Sequence, residues 1–318
     1  MAAFLEAKDL RKRFPVRVAF GRHEALKAVD GVSFGLQKDS VLSLVGESGS
    51  GKSTVARLLL RLIQPTAGSV LFRGEDVFSL RGDGLKAFRK SVQIVFQDPF
   101  ASLNPRKTVM DALSEPLKLH GLAKGGLLKE KAVELLKQVG LSESALGSYP
   151  HQFSGGQRQR VCIARALAVS PDVMVLDEPL SALDVSIQAQ ILNLLMELRG
   201  GSGMSYVFIS HDLRVVEYIS DEVAVMYLGK IVELSKAEEL FGEPLHPYAV
   251  VLLSSVPDIE GGRARVVLKG EVPSPLHIPP GCPFHPRCPR RFEPCDKVVP
   301  LLLPYKGRPV SCHLWNPY

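Results

Sequence analysis

A glycine-rich loop between two apolar segments constrains the fold of this chain more strongly than any other feature. Residues Gly46 to Ser53 match the phosphate-loop pattern G-x-x-x-x-G-K-[ST] without a gap. The apolar run Val41–Val45 before the loop is typical of a buried strand, and the apolar spacing from Ser53 to Ile63 is typical of a helix. This order of strand, loop and helix predicts an α/β nucleotide-binding fold. A chain of 318 residues, 46% of them hydrophobic, is long enough to bury such a core.

The residue types in the loop indicate how it would hold a nucleotide. Glycines let the backbone wrap around phosphate oxygens, Lys52 can neutralise the β- and γ-phosphates, and the Ser53 hydroxyl can ligate Mg²⁺. The alternative is a Gly/Ser turn that carries a lysine by coincidence, and the flanking elements argue against it. The candidate nucleotide-binding residues of this segment are Gly46, Glu47, Ser48, Gly49, Ser50, Gly51, Lys52, Ser53 and Thr54.

A second glycine-rich segment lies about a hundred residues downstream. Ser154, Gly155 and Gly156 precede a predicted helix from Gln157 to Val169, and their backbone N–H groups are free to bind an anion. The helix dipole also favours a phosphate at this position. Two phosphate sites on separate segments of one chain predict that two chains share each nucleotide.

Downstream of the second glycine-rich segment, a predicted strand ends in two acidic residues. The run Val173–Glu178 is apolar until its last two residues, as expected for a central parallel strand that delivers carboxylates to the edge of a sheet. Asp177 would hold the magnesium shell, and Glu178 could accept a proton from the attacking water. The alternative, two acids that cap the next helix, is disfavoured in a chain that also has a phosphate loop.

At this point the chain resembles the ATP-binding subunits of ABC transporters. The resemblance implies a P-loop NTPase with a RecA-like α/β core, an N-terminal antiparallel β piece and a helical signature subdomain. It also implies three further site residues. Gln97 would touch Mg²⁺ and the attacking water, Asp184 would lie in the loop that crosses a dimer interface, and His211 would contact the γ-phosphate.

The adenine-stacking residue has two candidates. Phe14 stands where this family usually has a tyrosine, and Phe20 is the rival. Either ring can stack its face on a base, and we favour Phe14.

Three further segments resemble the F-type subunit of dipeptide and oligopeptide importers: Gln97–Arg106, Tyr149–Phe153 and Val225–Glu233. The sequence His246-Pro-Tyr248 also resembles the start of the C-terminal extension of that branch. The resemblance implies peptide import, with nickel, glutathione and oligosaccharides as alternative cargoes. It implies as partners a second ATP-binding subunit, expected to be a related D-type chain, two integral membrane permease subunits and an extracytoplasmic substrate-binding protein.

Composition limits the alternatives. No run of eighteen apolar residues is present, and the N-terminus lacks a hydrophobic signal core, so we expect the protein to stay in the cytoplasm. The resemblance to importer ATP-binding subunits implies a peripheral position on the cytoplasmic face of the membrane. The net charge of +6 is scattered along the chain and does not indicate nucleic-acid binding. An ATP-driven nucleic-acid switch of the DNA-repair type shares the phosphate loop and the signature, but it normally carries a long coiled coil or a DNA-binding insertion. The short interval from Lys52 to Asp177 and the absence of sustained heptads oppose that alternative.

The breaks in the sequence predict two domains. Residues 1–235 would form the nucleotide-binding domain, with a helical subdomain at about 100–165, and residues 236–318 would form a small irregular extension. The segment Arg199–Gly203 is interpreted as a turn between a helix and a strand.

Four cysteines form a second candidate site in the extension. We expect the extension to lie far from the phosphate loop. Thiolates in a loop-rich segment could bind Zn²⁺ or an iron–sulfur cluster, or the cysteines could stay reduced and unliganded. The absence of a C-x₂₋₄-C pair weighs against common zinc folds, and similarity to the peptide-importer extension implies a [4Fe–4S] cluster. Cys162 is interpreted as a small core residue. The candidate ligands are Cys282, Cys288, Cys295 and Cys312.

Overall fold

The computed structural model describes residues 3–17, 23–254 and 270–316. Its strands, in chain order, are β1 (Leu5–Arg17), β2 (His23–Leu36), β3 (Val41–Val45), β4 (Ala67–Phe72), β5 (Glu75–Asp76), β6 (Val92–Val95), β7 (Val173–Asp177), β8 (Ser205–Ile209), β9 (Glu222–Tyr227), β10 (Lys230–Lys236), β11 (Leu303–Tyr305) and β12 (Arg308–Val310). Its α-helices are α1 (Lys52–Leu59), α2 (Gly82–Ser91), α3 (Pro99–Ser102), α4 (Val109–Leu119), α5 (Leu127–Gln138), α6 (Gly155–Leu167), α7 (Val185–Ser202), α8 (Leu213–Ile219), α9 (Ala237–Gly242) and α10 (Pro247–Ser254).

The chain divides into two compact units, each assembled from separate stretches of sequence. The first, here called the phosphate-loop unit, contains residues 1–36, 41–78 and 210–318. The second, the signature unit, contains residues 37–40 and 79–209. The domain boundaries predicted from the sequence, 1–235 and 236–318, stay a prediction.

An antiparallel sheet with the order β2-β1-β4-β5 forms one part of the phosphate-loop unit. Leu5 and Ala7 alternate with less buried neighbours along β1, which is the pattern of a strand with one covered face. The register of β1 against β2 shifts between Ala7 and Leu10, and Asp9 has a φ of +44° at this irregularity. The bulge returns Leu10 to the buried face, so Leu5, Ala7 and Leu10 all contribute to the core.

A second group of strands in the same unit positions the phosphate loop. Every residue of β3 is buried, which explains its continuous apolar sequence. Strand β3 runs parallel to β9, with Val45 opposite Val225, and β9 pairs antiparallel with β10. The loop that follows Val45 therefore begins beside the last residues of β9.

The described part of the C-terminal extension is more regular than its sequence indicates. It contains α9, α10 and the strand pair β11–β12, and β12 pairs with β10 through Val310 opposite Glu233. The Ser311 N–H also donates to the Val232 carbonyl at 2.8 Å. Prolines hide these short strands from a periodicity analysis, because they interrupt the alternation that identifies a strand.

The signature unit contains the parallel strands β6, β7 and β8 and the predicted helical segment. Strand β7 lies between the other two, with Val175 opposite both Ile94 and Val207. Helix α4 begins with a capping box, in which the Thr108 hydroxyl accepts the Asp111 N–H and the Asp111 carboxylate accepts the Thr108 N–H. The mainly helical character predicted for residues 100–165 is confirmed.

The turn predicted at Arg199–Gly203 is wrong, because helix α7 continues through Ser202. Arg199 is held by a hydrogen bond from its guanidinium to the Asp39 carbonyl at 2.7 Å. The helix ends only at Gly203, which has a φ of +66° and takes the left-handed conformation common at helix C-termini. One glycine of the run thus acts as a helix stop, while the others are tolerated inside the helix.

The strand and helix types expected from the sequence are present in both units. Within the described residues, no helix is both long enough and apolar enough to cross a membrane.

Candidate functional site

The phosphate loop joins β3 to α1 in a conformation that requires glycine at two positions. Gly46 has a φ of +149°, and a side chain there would collide with the Met226 carbonyl. Gly51 has a φ of +104°, and a side chain there would collide with the Ala28 carbonyl. The backbone therefore lies against its neighbours and leaves the concave side of the loop for an anion.

Lys52 is the first residue of α1 and is only 5% exposed. Its ammonium donates to the Gly46 carbonyl at 2.8 Å and to the Glu47 carbonyl at 3.0 Å. A third contact joins it to the Ser50 hydroxyl at 3.4 Å. The N–H groups of the first turn of α1 have no acceptor within the helix, so this end of the unit presents N–H donors and one ammonium to an anion. The geometry fits a polyphosphate.

Glu47 connects the loop to the C-terminal extension. The Arg287 guanidinium forms two parallel bonds with the Glu47 carboxylate, at 2.7 and 2.9 Å, and the Glu47 N–H donates to the Tyr248 hydroxyl at 2.8 Å. The expectation that the extension lies far from the phosphate loop is therefore wrong. Tyr248 belongs to the sequence His246-Pro-Tyr248, but nothing in the sequence indicates that its hydroxyl contacts the phosphate loop.

Gln97 and Glu178 lie together in the signature unit. Strands β6 and β7 are parallel neighbours, so the residues that follow them meet at one edge of the sheet. The Gln97 amide donates to the Glu178 carboxylate at 3.0 Å. Glu178 has a φ of +48°, and its N–H donates to the Ile209 carbonyl, which fixes its backbone beside β8. Asp177, one residue earlier, is 6% exposed.

Helix α6 begins at Gly155, with Ser154 as its N-cap, two residues before the predicted start. The Ser154 hydroxyl accepts the Gln157 N–H at 3.3 Å, and the Gln157 side chain accepts the Ser154 N–H at 3.0 Å. This capping box defines the helix start and keeps the two glycines in its first turn. The predicted anion site thus lies at a capped helix N-terminus.

The two glycines of this turn pack against the segment that contains Asp184. A side chain on Gly156 would collide with Ile187 of α7, and one on Gly155 would approach the Leu183 side chain to 3.3 Å. Asp184 is exposed and is the N-cap residue of α7. Glycine is required here because the signature helix and the Asp184 segment approach each other closely within one chain.

The other predicted site residues lie in the phosphate-loop unit. His211 is exposed and precedes α8, whose N-cap Asp212 accepts the Arg214 N–H at 3.0 Å. Phe14 is a half-buried residue of β1, and the Lys12 ammonium lies 5.1 Å from its ring centroid. Phe20, the rival adenine-stacking residue, lies outside the described residues.

All four cysteines of the extension line one small pocket, together with His285. Burial raises the pKa of Cys282 to about 12 and that of Cys312 to about 11, and the neighbouring thiols add to both shifts. In the described part of the chain, no group of three or more His, Cys, Asp or Glu side chains is placed to hold a metal ion. The [4Fe–4S] cluster therefore stays a prediction.

Cys162 is confirmed as a core residue of α6. It is buried, and burial raises its pKa to about 11, as expected for an inert thiol.

Comparison with known families identifies two regions. The family described as ABC transporter matches residues 29–181, and the family described as oligopeptide/dipeptide transporter, C-terminal region, matches residues 232–295. The phosphate loop, Gln97, Ser154 and Glu178 lie within the first match, and Tyr248 and three of the four extension cysteines lie within the second.

The chain is also similar to characterised relatives over nearly its whole length. It is 51% identical to the oligopeptide transport ATP-binding protein AppF of Bacillus subtilis, covering 98% of this chain and 97% of AppF. It is 49% identical to the dipeptide transport ATP-binding protein DppF of Escherichia coli, covering 97% of this chain and 93% of DppF. The di/tripeptide transport ATP-binding protein DppF of Pseudomonas aeruginosa is 46% identical, covering 98% of each chain.

Solved structures give the same fold. The ATP-binding cassette MJ0796, in a dimeric post-hydrolysis state bound to ADP and Pi, matches with a TM-score of 0.66 and 30% identity, covering 73% of this chain and 98% of MJ0796. The protein cbiO1 of Clostridium perfringens, part of the ABC transporter complex cbiONQ, matches with a TM-score of 0.65 and 27% identity, covering 76% of this chain and 92% of cbiO1. The expected cassette fold, an α/β core with an antiparallel β piece, is confirmed.

ABC transporter ATP-binding subunits hydrolyse ATP to power transport. By its motifs and by its identity to relatives along nearly its whole length, this chain belongs to the ABC transporter family, as an ATP-binding subunit of the branch with the oligopeptide/dipeptide transporter C-terminal region.

Proposed function

We propose that this chain binds and hydrolyses ATP to energise the import of dipeptides or oligopeptides across the cytoplasmic membrane. The observation that carries the proposal is the 51% identity to AppF across both the cassette and the extension. The match of residues 232–295 to the peptide-transporter C-terminal region supports the cargo class independently of the ATPase motifs. No observation favours nickel, glutathione or an oligosaccharide over peptides.

At the ATP site we assign the phosphates to the loop residues from Gly46 to Thr54, with Lys52 as their main cationic partner. Mg²⁺ would be held by Ser53, Gln97 and Asp177, whose oxygens suit a hard cation, and it would neutralise charge on the β- and γ-phosphates. We assign the adenine to the face of Phe14.

For the chemical step we assign the proton of the attacking water to Glu178. The water oxygen bonds to the γ-phosphorus, the bond from that phosphorus to the β–γ bridging oxygen breaks, and the Glu178 carboxylate takes the proton. The Gln97 amide donates to this carboxylate at 3.0 Å, so a water bound to the Glu178 carboxylate would lie beside the Gln97 side chain. His211 would contact the γ-phosphate.

We further propose that each ATP lies between the phosphate loop of one subunit and Ser154, Gly155, Gly156 and Gln157 of a second subunit. The capped start of α6 presents backbone N–H groups that a γ-phosphate can accept from. Asp184, exposed at the start of α7, would lie at the same subunit interface. MJ0796, a related cassette, forms a dimer in its ADP- and Pi-bound structure.

The partners we propose are a second ATP-binding subunit, expected to be a related D-type chain, two integral membrane permease subunits and an extracytoplasmic substrate-binding protein. The subunit would lie peripherally on the cytoplasmic face of the membrane. The segment around Gln97 would transmit the conformational change to the permeases, and no nucleic-acid partner is proposed.

In the extension we propose that Cys282, Cys288, Cys295 and Cys312 hold a [4Fe–4S] cluster. Their convergence on one pocket supports this assignment. When bound, the cluster would cross-link the irregular segment and could carry electrons.

The cargo assignment is tested by ATP turnover of the reconstituted complex. Cargo is recognised outside the cell, so it can alter turnover only by favouring one conformational state of the transporter. We expect faster ATP hydrolysis when the binding protein carries a dipeptide or oligopeptide, and no response of the isolated ATP-binding subunit to free peptide. Stimulation by nickel or an oligosaccharide, with none by a broad peptide library, would reject the cargo class and leave the ATPase assignment intact.

A further inference from the structure

Glu47 anchors the phosphate loop to the C-terminal extension. Its carboxylate accepts two bonds from Arg287, its N–H donates to the Tyr248 hydroxyl, and its carbonyl accepts a bond from Lys52. The residue that connects the ammonium of the ATP site to the extension is therefore held at all three of its polar groups.

The Glu47–Arg287 pair is largely removed from water. The Arg287 side chain is 6% exposed and that of Glu47 is 27% exposed. The fork geometry, with one oxygen on each terminal nitrogen, defines a single orientation of the carboxylate. Such a pair cannot be broken on one side without leaving an uncompensated charge in a protected position.

The position of Arg287 is fixed by the core beneath it and by the turns around it. The rings of Tyr227, Tyr248 and Phe284 pack with centroids 4.7 to 5.4 Å apart, and Arg287 contacts the Tyr227 hydroxyl at 3.5 Å. The Arg287 N–H donates to the Phe284 carbonyl at 3.0 Å, in a series of turns that runs from Cys282 to Cys288.

The charge of Glu47 makes this contact relevant to ATP. An unpaired carboxylate within a phosphate loop would repel the polyphosphate, because like charges at short distance interact strongly near a protein surface. When the Glu47 carboxylate is paired with Arg287, its negative charge is neutralised. The loop N–H groups and the Lys52 ammonium then determine the electrostatic potential at the phosphates.

We propose that Arg287 is a positioning residue of the ATP site, which neutralises and orients Glu47 so that the phosphate loop is ready to receive MgATP. The C-terminal extension is thus a part of the nucleotide site of its own chain. This inference rests on ATP binding alone and is independent of the cargo and of the iron–sulfur assignment.

The test measures MgATP affinity of the full chain. Arg287→Met should raise the dissociation constant for MgATP about tenfold, because it leaves the Glu47 charge unpaired. Arg287→Lys keeps the charge but loses the fork, so its affinity should lie between those of wild type and Arg287→Met. In the assembled transporter, the KM for ATP should rise while kcat at saturating ATP changes little.

Two further variants separate positioning from general damage. Glu47→Gln combined with Arg287→Met removes both charges and should bring the dissociation constant to within about threefold of wild type. Arg291→Met is the matched control, because Arg291 lies in the same segment, is exposed, and pairs with Asp296 at 3.1 Å rather than with a loop residue. Its affinity should stay within about twofold of wild type.

Each outcome decides the proposal. Recovery of affinity in the double variant supports it, since a merely structural defect would not be repaired by removing a second partner. Wild-type affinity in both Arg287→Met and Arg287→Lys would overturn it. A loss in Arg287→Met that Glu47→Gln does not relieve would also overturn it.

Discussion

Gln97 and Glu178 lie 81 positions apart in the sequence and 3.0 Å apart in the fold. Each could be identified as a candidate because each follows an apolar strand, and parallel neighbouring strands bring such residues to the same sheet edge. The pair between Glu47 and Arg287 could not be identified in this way. It spans 240 positions and joins a loop to a segment without periodic structure, so no local pattern indicates it.

At the residue scale, two substitutions should separate binding from chemistry. Lys52→Ala should abolish MgATP binding, because the polyphosphate loses its buried cation. Glu178→Gln should bind MgATP but hydrolyse it about 100- to 10,000-fold more slowly, since an amide cannot accept the proton of the attacking water. Equilibrium binding and multiple-turnover ATPase rates in the assembled transporter measure the two effects. Similar hydrolysis rates for Glu178→Gln and wild type would remove Glu178 as the base.

At the scale of elements, the sequence predicts strands and helices well where a single periodicity dominates. Strand β3 agrees with prediction to the residue, because a buried apolar run with a glycine boundary has few alternatives. Helix α1 begins one residue before the predicted start and ends at Leu59 rather than at Ile63. The end of α7 differs from the prediction, because its glycines carry a turn signal although the helix continues and Arg199 is held by a hydrogen bond to the Asp39 carbonyl. The strands β11 and β12 are not predicted from the sequence, since they are stabilised by pairing with each other and, for β12, with β10, rather than by local propensity.

The signature helix α6 should act on the nucleotide of a second subunit. Ser154→Asp retains an N-cap side chain, so α6 should still form, while the added carboxylate repels a γ-phosphate. The test uses this chain as its own partner and therefore requires that it homodimerises. Mixed dimers of Ser154→Asp and Lys52→Ala subunits then contain one intact shared site and should regain ATPase activity that neither homodimer has. Mixed dimers are isolated with two different affinity tags, one on each variant subunit. Ser154→Thr, which keeps a hydroxyl at the N-cap, is the control for the capping of α6. Inactive mixed dimers would contradict the shared site.

At the scale of the whole molecule, the extension is defined by its cysteines and by its contact with the phosphate loop. Protein purified without oxygen should be brown and contain iron and sulfide in similar amounts. Cys288→Ser should lose the iron, whereas Cys162→Ala, at the core cysteine, should keep it. Because Arg287 precedes Cys288 directly, the loss of the cluster should also weaken MgATP binding. Stoichiometric zinc without iron would contradict the cluster.

We propose that ATP hydrolysis by this subunit energises peptide import, and this is tested by measuring the uptake of a labelled dipeptide or oligopeptide. The measurement uses proteoliposomes that contain the complete transporter with this subunit. Our account predicts uptake that requires ATP on the side of this subunit and a peptide-loaded binding protein on the other side. The same preparation with Glu178→Gln should bind ATP but accumulate almost no peptide. Peptide uptake by the Glu178→Gln transporter at the wild-type rate, or uptake by the wild type without ATP, would contradict the account.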